Sequence, residues 1–193
     1  MTKLNRSNLW NLESYAMERT RFRTQVINHK KNRQVPLGGH ATLYFEDFIT
    51  MKYQVQEMLR VERIFEPDAI QAEIDAYNPM IPDGSNWKAT FMLEYADAEQ
   101  RREALARMTG IEHRIWIAIG THDPVYAIAN EDLERSNDEK TSAVHFLRFE
   151  LDADQINALH SGERLTMGID HPAMQCSIEV GELVRASLIS DLG

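Results

Sequence analysis

Residues 131–151 read Glu-Asp-Leu-Glu-Arg-Ser-Asn-Asp-Glu-Lys-Thr-Ser-Ala-Val-His-Phe-Leu-Arg-Phe-Glu-Leu, and the reading of this stretch decides the fold. Six consecutive polar or charged residues, 135–140, open into a run with a period of two, the signature of a long strand leaving a fixed loop. Ala143, His145, Leu147, Phe149 and Leu151 share one face, and Arg148 and Glu150 punctuate the other. The pattern predicts a core-facing strand that carries one imidazole inward, which makes His145 the first candidate site residue.

Outward from this strand, the second half of the chain is rich in strands. Trp87, Ala89, Phe91, Leu93 and Tyr95 alternate with Lys88, Thr90, Met92 and Glu94, giving an amphipathic strand with an aromatic core face. Residues 114–119 and 125–129 read as a hairpin across Gly120–Pro124, with His122 solvated in the turn. Residues 165–169 and 175–180 form two further strands about a turn at Asp170-His171-Pro172-Ala173. Asp97 and Asp152 cap short helices, and residues 182–192 fit a terminal helix.

The first half is helical. Residues 8–33 lack Pro and Gly and place Leu12, Ala16, Phe22 and Val26 at helical spacing. After a short strand at 41–46, residues 48–65 and a segment opened by Pro67 read as two consecutive helices. Repeated strand–helix crossovers are missing. The expectation is therefore an α+β fold, with N-terminal helices packed on a curled, mainly antiparallel sheet. We read residues 1–193 as a single domain, helix-rich over 1–80 and strand-rich over 81–193.

Composition narrows the function classes. With 43% hydrophobic and 26% charged residues the chain reads as globular, no apolar run is long enough for a membrane span, and residues 1–20 lack a secretory signal, so the cytoplasm is the expected location. The one cysteine, Cys176, excludes an internal disulfide or a thiolate cluster and reads as a buried hydrophobe. The net charge of −9 is uneven, because residues 1–34 hold eight Lys and Arg against two acids. An acidic whole repels phosphate, so nucleic acid is disfavoured, and the basic segment is expected to meet the acidic body of its own or a partner chain.

No phosphate loop, dinucleotide fingerprint, nucleophile elbow, His-Glu-x-x-His or di-iron Glu-x-x-His pattern occurs. What remains is a diffuse set of histidines and carboxylates. A single metal ion needs three or four side chains from different elements, and His40, His145 and His171, with Glu57 and Asp170, lie in segments able to converge. For an enzyme acting on a small polar substrate, Glu57 is the candidate general base, beside Arg60 and His145. Structural readings outweigh these: His145 as a hydrogen-bonded core imidazole, His171 as a turn residue, and Glu57 with Arg60 as an ion pair one helical turn apart.

The runs Tyr53–Arg60, Pro82-Asp83-Gly84, Glu134–Phe146 and Asp170-His171-Pro172 together resemble a bacterial family designated domain of unknown function number 3501. The resemblance spans nearly the whole chain and brings no established activity. It places His40, Glu57, Arg60, Asn137, His145 and His171 in or beside the matching runs. Members resemble proteins encoded beside rubrerythrin-like di-iron and iron–sulfur proteins. That neighbourhood implies an accessory or binding role in a non-haem iron redox or peroxide-response pathway, with a rubrerythrin-like or iron–sulfur partner. A metal-dependent enzyme and a structural homo-oligomer are the alternatives.

Overall fold

The computed structural model describes residues 2–133, 135–136 and 140–193. In chain order the helices are α1 (Leu12–Lys30), α2 (Phe48–Val61), α3 (Pro67–Tyr77), α4 (Ala98–Arg107), α5 (Ala153–His160) and α6 (Glu182–Ile189). The strands are β1 (Gln34–Pro36), β2 (Ala41–Glu46), β3 (Asn86–Leu93), β4 (Ile115–Ile119), β5 (Val125–Tyr126), β6 (Ile128–Ala129), β7 (Val144–Glu150), β8 (Leu165–His171) and β9 (Met174–Glu179). The fold is α+β, and among the described residues no helix is long and apolar enough to cross a membrane.

Period-two patterning builds the sheets. Trp87, Ala89 and Phe91 of β3 and His145, Leu147 and Phe149 of β7 are buried side by side, since the antiparallel register pairs Phe91 with His145 and Ala89 with Leu147. Their sheet runs β1-β2-β3-β7-β6, and a second sheet runs β5-β4-β8-β9, with every pairing antiparallel. Ile115, Ile117, Ile119, Leu165, Met167 and Ile169 of the second sheet join the aromatic face of the first in one core.

The single curled sheet expected from the sequence is thus two sheets, and the expected hairpin at 114–129 is where they join. Val125 and Tyr126 pair with β4, whereas Ile128 and Ala129 pair with β7. Buried Ala127 stands between them and donates its N–H to the Ile115 carbonyl at 2.8 Å. Strand β1 was not anticipated. It is an edge strand, which tolerates Pro36 and still buries Val35. Cys176, expected in the core, is half-buried on the edge strand β9.

The helices are shorter than their apolar stripes suggest because local caps stop them. Asn11 accepts from Ser14 N–H and starts α1 at Leu12. Arg63, at φ 55°, turns the chain left-handed after α2, and Ile64 N–H bonds back to the Leu59 carbonyl. Helix α2 packs Met51, Val55 and Leu59 with Ile74 of α3 and with Ile81 and Leu4, while α1 places Tyr15, Phe22 and Val26 against Trp10, Ile49 and Tyr53.

Part of the basic first segment meets acids of its own chain. Arg19 pairs with Glu57 at 2.7 Å. Arg33, buried between β2 and α6, donates to the Phe45 and Glu46 carbonyls and to Asp191, tying the C-terminus to the first sheet. A buried guanidinium is tolerated only because its donors are satisfied in this way.

Candidate functional site

The sequence candidates fall into separate networks. Glu57 faces α1, where it accepts from Arg19 Nε and Nη2 (2.7 and 2.9 Å), Tyr15 OH (2.7 Å) and Arg60 Nη2 (3.2 Å). The Arg19 hydrogen bonds, opposed by burial and reinforced by Tyr15 and Arg60, hold its pKa down to about 2. A general base working near neutrality needs the reverse shift. The expected pair of Glu57 with Arg60 is present, as one part of a structural cluster.

His40 is exposed, directs Nδ1 at the Glu94 carbonyl (3.0 Å) and stacks on Tyr95 with ring centres 4.1 Å apart. His171 is buried, directing Nε2 at the Thr109 carbonyl (3.2 Å) and accepting from Ala173 N–H at Nδ1 (3.1 Å). His145 is wholly buried, as strand parity required. Its neighbours are not Glu57 and Arg60, because those belong to the α1–α2 contact and another carboxylate has taken the place. Nε2 lies 2.8 Å from Thr141 Oγ1 and 3.1 Å from the Ser142 carbonyl, Nδ1 lies 3.3 Å from Asn130 Oδ1, and Glu112 Oε2 is 3.9 Å from Nε2.

Glu112, also buried, accepts from Ser136 and Thr141, so the ends of the loop at 136 and 141 are pinned to this cluster. Glu134 and Asn137–Glu139 of the expected turn, including the candidate Asn137, lie outside the described residues. Burial, opposed by the Glu112 carboxylate, lowers the His145 pKa and keeps the ring neutral. Among the described residues no group of three or more His, Cys, Asp and Glu side chains forms a metal-binding cluster, and His40, His145 and His171 do not come together.

The concave site lies on the other face of the first sheet. Tyr44 and Glu46 of β2, Lys88, Thr90 and Met92 of β3, and Val144, Phe146 and Arg148 of β7 wall a cavity of about 730 Å³. Met51 and Gln54 of α2, and Ala76, Tyr77, Pro79 and Met80 at the end of α3, wall its other side; Lys30, Glu131, Asp132 and Leu147 complete the lining. A mostly apolar wall with a few charged groups is the usual make-up of a small-molecule site.

The charged groups differ in how far they are spent. Glu46, buried, accepts from Thr90 Oγ1 at 2.8 Å through one oxygen. The Arg148 fork holds Glu131 at 2.8 and 2.7 Å and also pairs with Glu150. Lys88 stands between them, opposite Glu46 in β2 and Arg148 in β7. It is half-buried and has no hydrogen bond or ion pair among the described residues. Desolvation and the neighbouring Arg148 cation lower its pKa against the opposing charges of Glu131 and Asp83. A second chamber of about 460 Å³ shares Pro79, Lys88, Glu131 and Arg148 with the first.

None of His40, Glu57, Arg60, His145 and His171 lines either chamber. The sequence did carry a signal for this site. Met92, Val144 and Phe146 occupy strand positions that alternation assigns to the wet face, and apolar residues there report a covering layer.

Comparison with known proteins follows the same lines. A family model described as "Protein of unknown function (DUF3501)" matches residues 3–192. A solved structure from Burkholderia pseudomallei K96243, described as a novel protein of unknown function, is 50% identical, with a TM-score of 0.94 over 100% of each chain. No curated protein matches.

Proposed function

The chain belongs to the DUF3501 family of proteins of unknown function, and from that premise we propose that it is a cytoplasmic binding protein for a small amphipathic molecule. The apolar body of the ligand packs against Met51, Met80, Met92, Val144 and Phe146, and an oxygen-bearing head, carboxyl or carbonyl, meets Lys88. The observation that carries this reading is the state of Lys88. A half-buried ammonium without a hydrogen bond or ion pair, on the wall of a large cavity, is a donor held ready for something that is not protein.

The test is titration with 1-anilinonaphthalene-8-sulfonate, an aromatic anion whose fluorescence rises in apolar surroundings. Wild-type protein should bind it, and Lys88→Met should weaken binding about tenfold, the loss of one charge-assisted hydrogen bond. Equal affinity in the variant would remove Lys88 from the site.

The partner reading rests on the family resemblance alone, and we propose it as such: a rubrerythrin-like or iron–sulfur protein bound through charge, in a redox or peroxide-response setting. A pull-down at low salt, where electrostatic docking is strongest, should bring such a protein down.

A further inference from the structure

We infer that Lys88 is an imine-forming lysine, whose amine condenses with the carbonyl carbon of an aldehyde or 2-oxo acid seated in the cavity. The inference rests on the binding reading above and names the ligand chemistry. Three features of the cavity wall support it.

The amine is unspent, since no hydrogen bond or ion pair among the described residues occupies it, whereas Lys3 donates to the Asn78 and Ile81 carbonyls and Lys52 lies over the Trp10 ring. Burial and the Arg148 cation across the strand pair disfavour the ammonium, against the opposing charges of Glu131 and Asp83. A carboxylate lines the same cavity, since Glu46 is the register partner of Lys88 on β2 and has one carboxylate oxygen without a hydrogen bond among the described residues.

In the reaction the Lys88 ammonium first gives a proton to water; the freed lone pair attacks the carbonyl carbon, and the C=O π pair moves to oxygen, which takes a proton from water. The nitrogen of the resulting carbinolamine releases a proton to water. The hydroxyl takes up a proton from water, the C–O bond breaks and water leaves, giving the protonated C=N bond. No electrons enter or leave, so the step needs no redox partner. Arg148 is held by Glu131 and Glu150 and serves as a fixed positive charge rather than a reactant.

Reductive trapping tests the inference. Full-length protein is incubated with phenylpyruvate or with hexanal, in each case with sodium cyanoborohydride, and analysed by intact mass and peptide mapping. One secondary-amine adduct per chain is expected, on Lys88, forming at least about tenfold faster than on any other lysine and absent from Lys88→Arg. Trapping with phenylpyruvate alone assigns a 2-oxo acid, and trapping with hexanal alone assigns a neutral aldehyde. Adducts spread over several lysines and unchanged in Lys88→Arg would overturn the inference. If either compound displaces the naphthalene dye yet leaves Lys88 unmodified, imine formation falls and the binding reading stands. If neither displaces the dye, both fall.

Discussion

Lys88 and His145 stand on neighbouring strands of one sheet and point to opposite faces. His145 is the more deeply buried, and burial lowers the pKa of both. What separates them is satisfaction. The imidazole has a hydroxyl, a carbonyl and an amide within reach, with Glu112 behind them, while the ammonium has no direct partner among the described residues. A perturbed pKa is common to structural clusters and to sites, so the unspent donor, not the shift, distinguishes the two. The satisfied face should therefore answer mutation with stability, and the unsatisfied face with binding.

The sharpest break of that comparison comes from Arg33, the extreme of the satisfied side. Arg33→Ala leaves Asp191, at 5% exposure, without its cation and close to Asp47. An uncompensated buried charge costs about 3–5 kcal/mol. Urea unfolding should show a loss of that size. A loss below about 1 kcal/mol would mean that water reaches the pair, and the interior would not be the dry, satisfied region described.

His145→Gln comes next. Glutamine retains one hydrogen bond in the Thr141–Ser142 pocket, so stability should fall by no more than about 2 kcal/mol. The same variant should alter the pH dependence. The folded ring has a lowered pKa, so below the ordinary histidine value of 6.5 the unfolded chain binds a proton that the folded chain resists. Wild-type stability should therefore decline as pH falls through that value, and the variant should lack this part of the decline. A wild-type curve flat from pH 7 to 5 would show that the ring is not held neutral.

Glu57 gives a smaller effect in a different window. Its folded pKa of about 2 lies below the ordinary glutamate value of 4.5, so its contribution is complete above 4.5 and is lost as pH falls toward 2. Because Arg19 is partly exposed and screened, the contribution is about 1 kcal/mol. Glu57→Gln should remove it, which unfolding curves at pH 7 and pH 3 would register as a smaller difference between the two.

These contrasts also mark what the sequence could carry. Strands β2, β3 and β7 were legible because Trp87 to Leu93 and His145 to Leu151 alternate without a break, and α4 and α5 because Asp97 and Asp152 cap the backbone at Gln100 and Gln155. The change of sheet at Ala127 was not, since a two-residue strand has no period. The neighbour of His145 was not legible either, since Glu112 reaches it from a 3-10 turn far from it in sequence. The cavity was hidden for the same reason. Lys88 and Thr90 read as a wet face until α2 and α3 are laid over them, and only the misplaced Met92, Val144 and Phe146 hinted at the cover.

The smallest stability effect is expected at Lys88, and its smallness is the point. Lys88→Met removes a partly desolvated cation that makes no hydrogen bond, keeps the length of the aliphatic stem and adds apolar contact to a wall that already holds Met51, Met80 and Met92. Its loss of charge leaves Glu46 bonded to Thr90 and Arg148 bonded to Glu131. The unfolding free energy should change by less than about 0.5 kcal/mol, or rise, as happens where a functional group is kept at some cost to the fold. A destabilisation above about 2 kcal/mol, read from the same urea curves as Arg33→Ala, would show that Lys88 is held by the protein after all. The two faces of the sheet would then be alike, and the cavity would lose the feature that sets it apart.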